Sequence, residues 1–583
     1  MKADLSRNTF NPFKHFTRVL MQQGRVQLDA DLNEQAAILL HYLRSLAADL
    51  IGPAGGPQGD AFAISPLSIP NTTNDFRIGL GHYYVNGILC EASSAPIKIF
   101  LLSSSANGIV QVDGWSLDGI ELQDAAYSPQ LGSAYLELFD DSPAQAAGFP
   151  VLVKITNFDK AHNQITIANL PSIPATANPK LRRIITYLHQ PGFVYSSQNT
   201  PVPPPLVGPA VQVYLDTWER LVTCAEDDSI REVALGGPDT AARAQLVWQV
   251  KTTPADNNTC MTLQGLHNMF QWENRGKLKA MAKQNTPSTD PCIISPSSRF
   301  SGLENQLYRV EINRGGTAWD GTAANKPAAL ASGATFKWSR ENGCVFFPIA
   351  SGGGTNTLVL ESLGRDDRFS LEEGDWVEVQ DDRSVLSNIT GTLLQVQSID
   401  RSSLTVILKG TPDPSVGKDL SLHPLLRRWD HQAGDPAEGG LTLGSDNAAL
   451  IVENASGTWL TLEDGVQVQF QLANPFTLPV IPPPNPPSNM NVYRPGDYWL
   501  VPARTATGDV EWPKLTDANG NPETDANGNI IPLALSPQGV THHYAPLAVL
   551  SVSANGITSS SDCRSPFQTT VETERKQNAA KSS

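Results

Sequence analysis

Pairs of adjacent acidic residues are the first places where this sequence could support catalysis. The sequence contains Asp366-Asp367 and Glu372-Glu373, and cleavage of a glycosidic bond uses two carboxyl groups that face each other across that bond. Adjacent acidic residues usually lie on solvated surfaces, and spacing along the chain does not place them across a cleft. The motifs of nucleotide-binding loops, zinc proteases and serine esterases are absent from the sequence. We therefore predict no catalytic residues and no cofactor, and expect a protein that is not an enzyme.

Two further patterns offer atoms that could bind a metal ion. Residues 517–529 contain the sequence DANGN twice, and its carboxylate and amide oxygens are the ligands that calcium prefers. The glycines do not match the positions of an EF-hand, and Asn-Gly is a common turn former. A calcium site and a long hairpin loop are therefore both open. His542 and His543 would point to opposite faces of a strand, and no metal site is predicted there.

The composition excludes several classes of protein. The chain has 58 acidic and 42 basic residues, a formal net charge of −16, and such a surface repels nucleic acid. It contains no run of 18 apolar residues, and its start, MKADLSRNTF, lacks the apolar core of a signal peptide. We expect synthesis in the cytoplasm without a signal peptide. The six cysteines contain no C-x-x-C pair, so reduced and mostly buried thiols are expected.

Aromatic residues could instead form a sugar-binding platform, although large rings in strands more often fill cores. The candidates are Trp338, Trp376, Trp429, Trp499 and Trp512.

The strongest local pattern predicts one long helix near the start of the chain. Asp29 or Asp31 can cap the helix, and Gly52-Pro53 can end it. Six residues within it are separated by four, three, four, three and four positions, the spacing of a coiled-coil seam. They are Leu32, Ala36, Leu39, Leu43, Leu46 and Leu50. Two interpretations are open: the helix packs on its own domain, or it self-associates or docks into a larger assembly.

The rest of the chain reads as short strands separated by glycine, asparagine and aspartate turns. Residues 76–92 alternate apolar and polar side chains around Asn86-Gly87, a strong hairpin signal. Strands do not alternate regularly with ten-residue helices, so a doubly wound sheet is not expected. We predict a mainly β protein, in which a short N-terminal helical docking module precedes several β-sandwich or barrel-like modules joined by proline-rich linkers.

Changes in composition place the boundaries of these regions, with proline-rich segments at residues 200–209 and 476–491. The predicted regions are a helical docking and oligomerisation module (1–59), a β-rich module (60–199), a mixed connecting module (200–300), two β-rich modules (301–425 and 426–564) and a flexible tail (565–583).

The opening segment also resembles a known family. Residues 6–53, which include QQGRVQLDADLNEQ, are similar to the N-terminal module of a family of phage-tail-like proteins found with contractile injection systems. GHYYVNGILCE, DTWERLVT, LENQLYRVEIN, FKWSRENG and YRPGDYWLVPAR are similar to the same family, so the likeness covers most of the chain. The opening pattern resembles more distantly the leading segment of baseplate-attached fibre and connector proteins of contractile phages, in which it helps three chains associate and dock. The proline-rich residues 482–487 and the doubled DANGN depart from the family pattern.

The resemblance implies a structural or attachment role and supplies no catalytic residues. It favours self-association through the leucines of the helix, and we expect a parallel trimer. It also implies docking onto other baseplate or tail subunits and incorporation into a phage-tail-like particle. Because Ala36 is small, coiled coils of two or four helices also remain open. Two alternatives remain: a tail-fibre-like protein that binds a receptor or carbohydrate, and, third, a tail-borne enzyme that degrades polysaccharide. Direct membrane contact is left open.

Overall fold

The computed structural model describes residues 1–67, 69, 72, 74–101, 107–130, 133–142, 147–192, 206, 208–270, 276–283, 299–366, 368–472, 491–525, 528–553 and 556–567. This part of the chain is mainly β, with one long helix near the N terminus, as the sequence predicts. The proline-rich residues 482–487, most of residues 200–209 and most of the predicted tail lie outside the described residues.

The long helix, α1 (Asp29–Ile51), begins and ends close to its predicted limits. Leu28 occupies the N-cap position without a side-chain hydrogen bond, so the predicted capping by Asp29 or Asp31 is wrong. Asp29 instead accepts hydrogen bonds from the backbone N–H and the hydroxyl of Ser6, at 2.9 and 2.6 Å. Both aspartates lie in the first turn, where negative charge interacts favourably with the helix dipole. Gly52 closes the helix with a φ of 93°, a conformation open to glycine.

The first β-rich stretch forms a small sheet and a larger curled sheet. Its elements are β1 (Ala54–Pro57), β2 (Ile64–Pro66), β3 (Phe76–Ile78), β4 (Gly81–Val85), β5 (Ile88–Ala92), β6 (Ile97–Leu101), β7 (Ile109–Val112), β8 (Ser116–Leu117), β9 (Ile120–Glu121), α2 (Leu122–Ala125), β10 (Tyr127–Gln130), β11 (Ser133–Asp140), β12 (Val151–Asp159), β13 (Gln164–Ala168) and β14 (Pro179–Arg182). In the larger sheet β14 pairs with both β6 and β11, so the sheet curls back around an apolar core.

The predicted hairpin at Asn86-Gly87 is confirmed. Val85 pairs with Ile88 across a two-residue turn, and Asn86 and Gly87 have φ values of 50° and 74°. This is the left-handed geometry of the turns that suit the twist of an antiparallel hairpin.

The central stretch supplies two long strands to a sheet that is completed near the end of the chain. Its elements are β15 (Ala210–Val222), β16 (Arg243–Pro254), α3 (Leu263–Phe270) and β17 (Leu278–Ala282). The sheet has the order β16-β15, followed by two later strands that start at His543 and Gly556. Strands on either side of several predicted region boundaries therefore share sheets, and the boundaries themselves stay a prediction.

The last stretch contains a mixed set of sheets and one closed barrel. Its elements are β18 (Gln306–Arg314), β19 (Gly316–Thr317), α4 (Lys326–Ser332), β20 (Thr335–Ser339), β21 (Phe346–Ser351), β22 (Thr357–Leu360), β23 (Trp376–Gln380), α5 (Asp382–Leu386), β24 (Leu393–Asp400), β25 (Thr405–Lys409), β26 (Leu425–Trp429), β27 (Ala449–Leu450), β28 (Leu460–Thr461), β29 (Val466–Phe470), β30 (Val492–Tyr493), β31 (Tyr498–Arg504), β32 (Asp509–Val510), β33 (His543–Ser553), β34 (Gly556–Asp562) and β35 (Pro566–Phe567). The barrel has the order β21-β22-β25-β24-β23-β26, and a five-stranded sheet has the order β27-β20-β18-β31-β32.

One pair of cysteines departs from the expected reduced state. Cys260 and Cys563 form a disulfide with a Cα–Cα distance of 5.7 Å, so the expectation of free thiols is wrong for this pair. Cys90 and Cys224 are buried thiols, and Cys344 is half-buried. Cys292 lies outside the described residues.

Candidate docking surface

The six residues of the predicted stripe lie on the solvent-facing side of α1. The leucines are each more than half exposed: Leu32 58%, Leu39 53%, Leu43 62%, Leu46 57% and Leu50 78%. Ala36 is exposed as well. A surface helix normally turns its apolar stripe toward its own core, and here the stripe faces the opposite way.

The other side of α1 fixes the helix to the β-rich body. Ala30 and Ile38 are each 1% exposed, and with about 100° between successive residues they lie opposite the stripe. The helix as a whole contacts β1, β4 and β5. A side chain at Gly87 would bring its Cβ to 1.9 Å from the carbonyl oxygen of Arg44, so the β4–β5 turn touches the helix backbone directly.

A paired ion contact adds a second attachment between α1 and the body. The guanidinium of Arg44 donates two hydrogen bonds to the carboxylate of Glu219 on β15, at 2.5 and 3.3 Å. Such a two-pronged geometry restricts orientation as well as distance. The helix is therefore mounted at a defined angle, with its leucine stripe turned outward.

Residues 8–28, here called the arm, run along α1 and add to its exposed apolar surface. Thr9 donates to Glu34 at 2.6 Å, and the backbone N–H of Val19 donates to Gln35 at 2.7 Å. The large apolar side chains of the arm that face solvent are Phe13 (84%), Phe16 (54%), Leu20 (69%), Met21 (46%), Val26 (83%) and Leu28 (42%). Gln35 borders the stripe on the helix surface and Glu34 lies on the opposite side, so the arm lies beside α1 and adds exposed apolar side chains next to those of the stripe.

Residues 1–7, here called the root, anchor the arm in a buried cluster of charges. The ammonium of Lys2 lies 2.9 Å from the carboxylate of Glu311, which is itself 2% exposed. Asn342 donates hydrogen bonds to the carbonyl oxygens of Met1 and Ala3, at 3.1 and 2.8 Å. Burial would raise the pKa of Glu311, but the charges of Lys2 and Arg309 hold that pKa below its ordinary value of 4.5.

The cluster continues inward through a second ion pair. The ammonium of Lys337 lies 2.6 Å from the carboxylate of Glu378, and both side chains are completely buried. The indole N–H of Trp429 donates to the same carboxylate at 2.9 Å, and Lys337 lies 4.4 Å from the centre of the Trp429 ring. These contacts compensate the buried charges, and the root lies against this preformed set of partners.

A cleft lies between the root and the body. Its volume is about 490 Å³, and its charged lining includes Asp4, Arg7, Glu341 and Arg368. Arg368 pairs with Glu341 at 2.5 Å, and Arg7 with Glu511 at 3.4 Å. Most of the charged side chains at this cleft therefore form ion pairs with neighbouring side chains.

The acidic pairs considered for catalysis lie on turns. Glu372 and Glu373 are exposed, and Glu373 accepts a hydrogen bond from the backbone N–H of Ile399 at 3.2 Å. Asp366 is also exposed and accepts from the N–H of Phe369 at 3.0 Å. Asp367 lies outside the described residues. The described members of these pairs stabilise loops.

The doubled DANGN forms two similar turns. The carboxylate of Asp517 accepts the backbone N–H groups of Asn519 and Asn521, at 2.8 and 2.9 Å. Asp525 accepts the N–H of Asn529 at 2.9 Å, while residues 526 and 527 lie outside the described part of the chain. The aspartate oxygens considered for calcium are thus used to close turns. Among the described residues no group of three or more His, Cys, Asp or Glu side chains could hold a metal ion.

The two adjacent histidines contact different partners. His542 shares a hydrogen bond of 2.7 Å with Asp216, and His543 one of 3.3 Å with Asn86. This divergence agrees with the sequence expectation of opposite faces.

The tryptophans considered for a sugar platform line the interior. Trp338, Trp429 and Trp499 are at most 2% exposed, and Trp512 is 8% exposed. Trp376 is half-buried and stacks on His431 at 5.6 Å. These rings fill cores and do not form a surface platform.

Comparison with known proteins places the chain within a family. A family model described as "Family of unknown function (DUF6519)" matches residues 1–100, 207–264 and 251–581. The chain belongs to this family. The match includes the root, the arm and α1. No curated protein and no solved structure matches the chain. Across the described residues, α1 and the shorter helices lack an apolar run sufficient to cross a bilayer.

The sequence pattern found the stripe but missed the arm. Periodicity identified the six stripe residues because they belong to one helix. The arm has no repeating pattern, and its only signal is a stretch from residue 8 to residue 28 that is rich in large apolar and basic side chains and contains no acidic residue.

Proposed function

We propose that the chain is a non-enzymatic structural subunit of a phage-tail-like contractile injection system, at or extending from the baseplate, which docks through its N-terminal helix. The observation that carries this proposal is the orientation of α1, whose body side is fixed while its leucine stripe is open to solvent. The resemblance of residues 6–53 to baseplate-docking segments supports the same role.

The stripe has enough exposed area to drive association. Complete burial of a leucine side chain contributes about 1.5–3 kcal/mol. The five stripe leucines are each more than half exposed, so covering them would contribute on the order of 5 kcal/mol per helix. The heptad spacing suits other helices of the same kind, and we favour a parallel trimer that docks onto other baseplate or tail subunits.

The β-rich remainder would form the rigid part of the subunit. We propose sandwich and barrel modules joined by proline-rich linkers, in which backbone ladders tie each strand to its neighbours and resist the load of contraction. The net charge of −16 would keep closely packed copies soluble before assembly.

The double substitution Leu39→Asp with Leu43→Asp tests the stripe. It would place unpaired carboxylates in the seam, at a cost of several kcal/mol, and should weaken self-association by more than about 100-fold. We expect the wild-type protein to sediment as about three chains and the variant as one, with unchanged far-ultraviolet circular dichroism.

A matched control adds the same two charges to α1 outside the stripe. Asn33 and Ser45 are exposed polar residues, and Asn33→Asp with Ser45→Asp should leave the assembly intact. A wild-type monomer at all concentrations would contradict self-association. Normal incorporation of the Leu39→Asp, Leu43→Asp variant into the particle would contradict docking through the helix.

A further inference from the structure

The arm carries an unusual charge for this acidic chain. Residues 8–28 contain Lys14, Arg18 and Arg25 and no acidic residue, whereas the chain as a whole has a net charge of −16. All three side chains are exposed and form no ion pair within the described residues. Lys14 lies 5.8 Å from the ring of Phe16. Among the described residues, the arm is thus a cationic surface whose charges form no ion pair.

The arm passes the edge of the leucine stripe and carries exposed apolar side chains there. Val19 is hydrogen-bonded to Gln35 on the edge of the stripe, and Leu20 and Met21 follow directly, both exposed. A chain that covers the stripe on the Gln35 side would therefore lie close to the arm.

The start of α1 carries the complementary charge. Asp29 and Asp31 lie in the first turn, and Asp29, seven residues before Ala36, continues the line of the stripe. Partial burial would raise the pKa of Asp29, but the hydrogen bonds from Ser6 outweigh it and lower the pKa, so the carboxylate is ionised at neutral pH. A parallel assembly would bring several such carboxylates together, and their repulsion requires nearby cations.

We infer that the arm of each copy packs across the start of the leucine stripe of a second copy, where Arg18 and Arg25 neutralise Asp29 and Asp31 of that neighbour. Arg25 precedes Asp29 by four residues, which places it near the same end of the helix. The inference rests on the proposed self-association and adds the partner, a second copy of this chain, and the charges that set its register.

Charge reversal in the arm tests this packing in the full-length protein. Arg18→Glu with Arg25→Glu should weaken the assembly about tenfold or more at low salt, measured by sedimentation across a concentration series. At about 1 M salt, where the Debye length is about 3 Å, the difference from wild type should largely disappear. Arg18→Lys with Arg25→Lys preserves the charge and should retain the wild-type affinity. Adding Asp31→Lys to the charge-reversed variant should restore part of the lost affinity.

The possible outcomes separate this inference from the proposed function. If the charge-reversed arm leaves assembly unchanged while Leu39→Asp with Leu43→Asp abolishes it, the arm packing is wrong and the stripe proposal stands. If the wild-type protein is always monomeric, both the arm packing and the trimer are wrong. A third outcome is that vesicles containing phosphatidylglycerol bind the wild-type protein and phosphatidylcholine vesicles do not. If charge reversal then removes vesicle binding without changing assembly, the arm packing is wrong and the arm is a lipid-binding surface.

Discussion

Glu311 shows how single residues secure the root of the docking surface. Its carboxylate lies 2.9 Å from the ammonium of Lys2 and 2.6 Å from the guanidinium nitrogen of Arg309. A buried carboxylate without partners would be strongly unfavourable, so the contact with Lys2 both compensates Glu311 and attaches the root. This cluster could not be predicted from the sequence, because Lys2 lies more than 300 residues before Arg309 and Glu311.

The lowered pKa of Glu311 makes part of the stability depend on pH. Since the pKa of Glu311 is lower in the folded chain than its ordinary value of 4.5, the unfolded chain binds the proton more readily. The contribution is therefore fully present above about pH 4.5 and is lost as the pH falls toward the folded pKa. We expect the free energy of unfolding to fall more steeply below pH 4.5 in wild type than in Glu311→Gln. The free energy of unfolding is measured by urea titration at a series of pH values. If it falls equally steeply with pH in both proteins, Glu311 does not have this role.

At the scale of elements, the mounting of α1 depends on one tight turn. Gly87 has a φ of +74°, and its missing Cβ would lie 1.9 Å from the Arg44 carbonyl oxygen. Gly87→Ala combines backbone strain with displacement of the helix, and should lower the free energy of unfolding by about 2–5 kcal/mol. Thermal and urea unfolding measure the loss, and the sedimentation experiment shows whether the tilted helix still assembles.

A second turn of the same type provides the control. Gly119 has a φ of +79°, and a Cβ there would meet nothing within 4 Å. Gly119→Ala should therefore cost only the backbone strain, about 1–2 kcal/mol. If the two substitutions have equal effects, contact between the turn and α1 is not important for stability.

The elements that could be predicted from sequence are those fixed by local physics. The Gly52-Pro53 stop, the heptad spacing from Leu32 to Leu50 and the Asn86-Gly87 turn each act within a few residues. Strand partners could not be predicted in this way. Thr217 on β15 pairs with His543 on β33, whereas alternation of side chains indicates which face is buried but not which strand lies alongside. The Cys260–Cys563 pairing likewise leaves no mark on the spacing of the cysteines.

At the scale of the whole molecule, the C-terminal end of the described chain pairs with the strand that directly follows α1. β35 pairs with β1 in parallel, and Arg564 donates hydrogen bonds to the carbonyl oxygens of Gly59 and Ala61, at 3.2 and 2.6 Å. The disulfide between Cys260 and Cys563 joins this end to the central stretch across 303 residues. The support of the docking surface is thus assembled from distant parts of the chain.

The disulfide between Cys260 and Cys563 should make the stability of the protein sensitive to reducing agents. A cross-link across a long loop restricts the unfolded chain, and its loss typically costs about 2–5 kcal/mol. Dithiothreitol should therefore lower the free energy of unfolding of the wild-type protein by this amount. The variant Cys260→Ser with Cys563→Ser should already be less stable and should not respond to the reductant; an unresponsive wild type would contradict the cross-link.

The two-pronged contact between Arg44 and Glu219 has a mechanical consequence. Glu219 belongs to β15, a strand of 13 residues with hydrogen-bonded neighbours on both edges. A pull on α1 would reach β15 through the Glu219 carboxylate, and the hydrogen-bonded neighbours of this strand would share the load. α1 and the sheet that contains β15 would then move together under load.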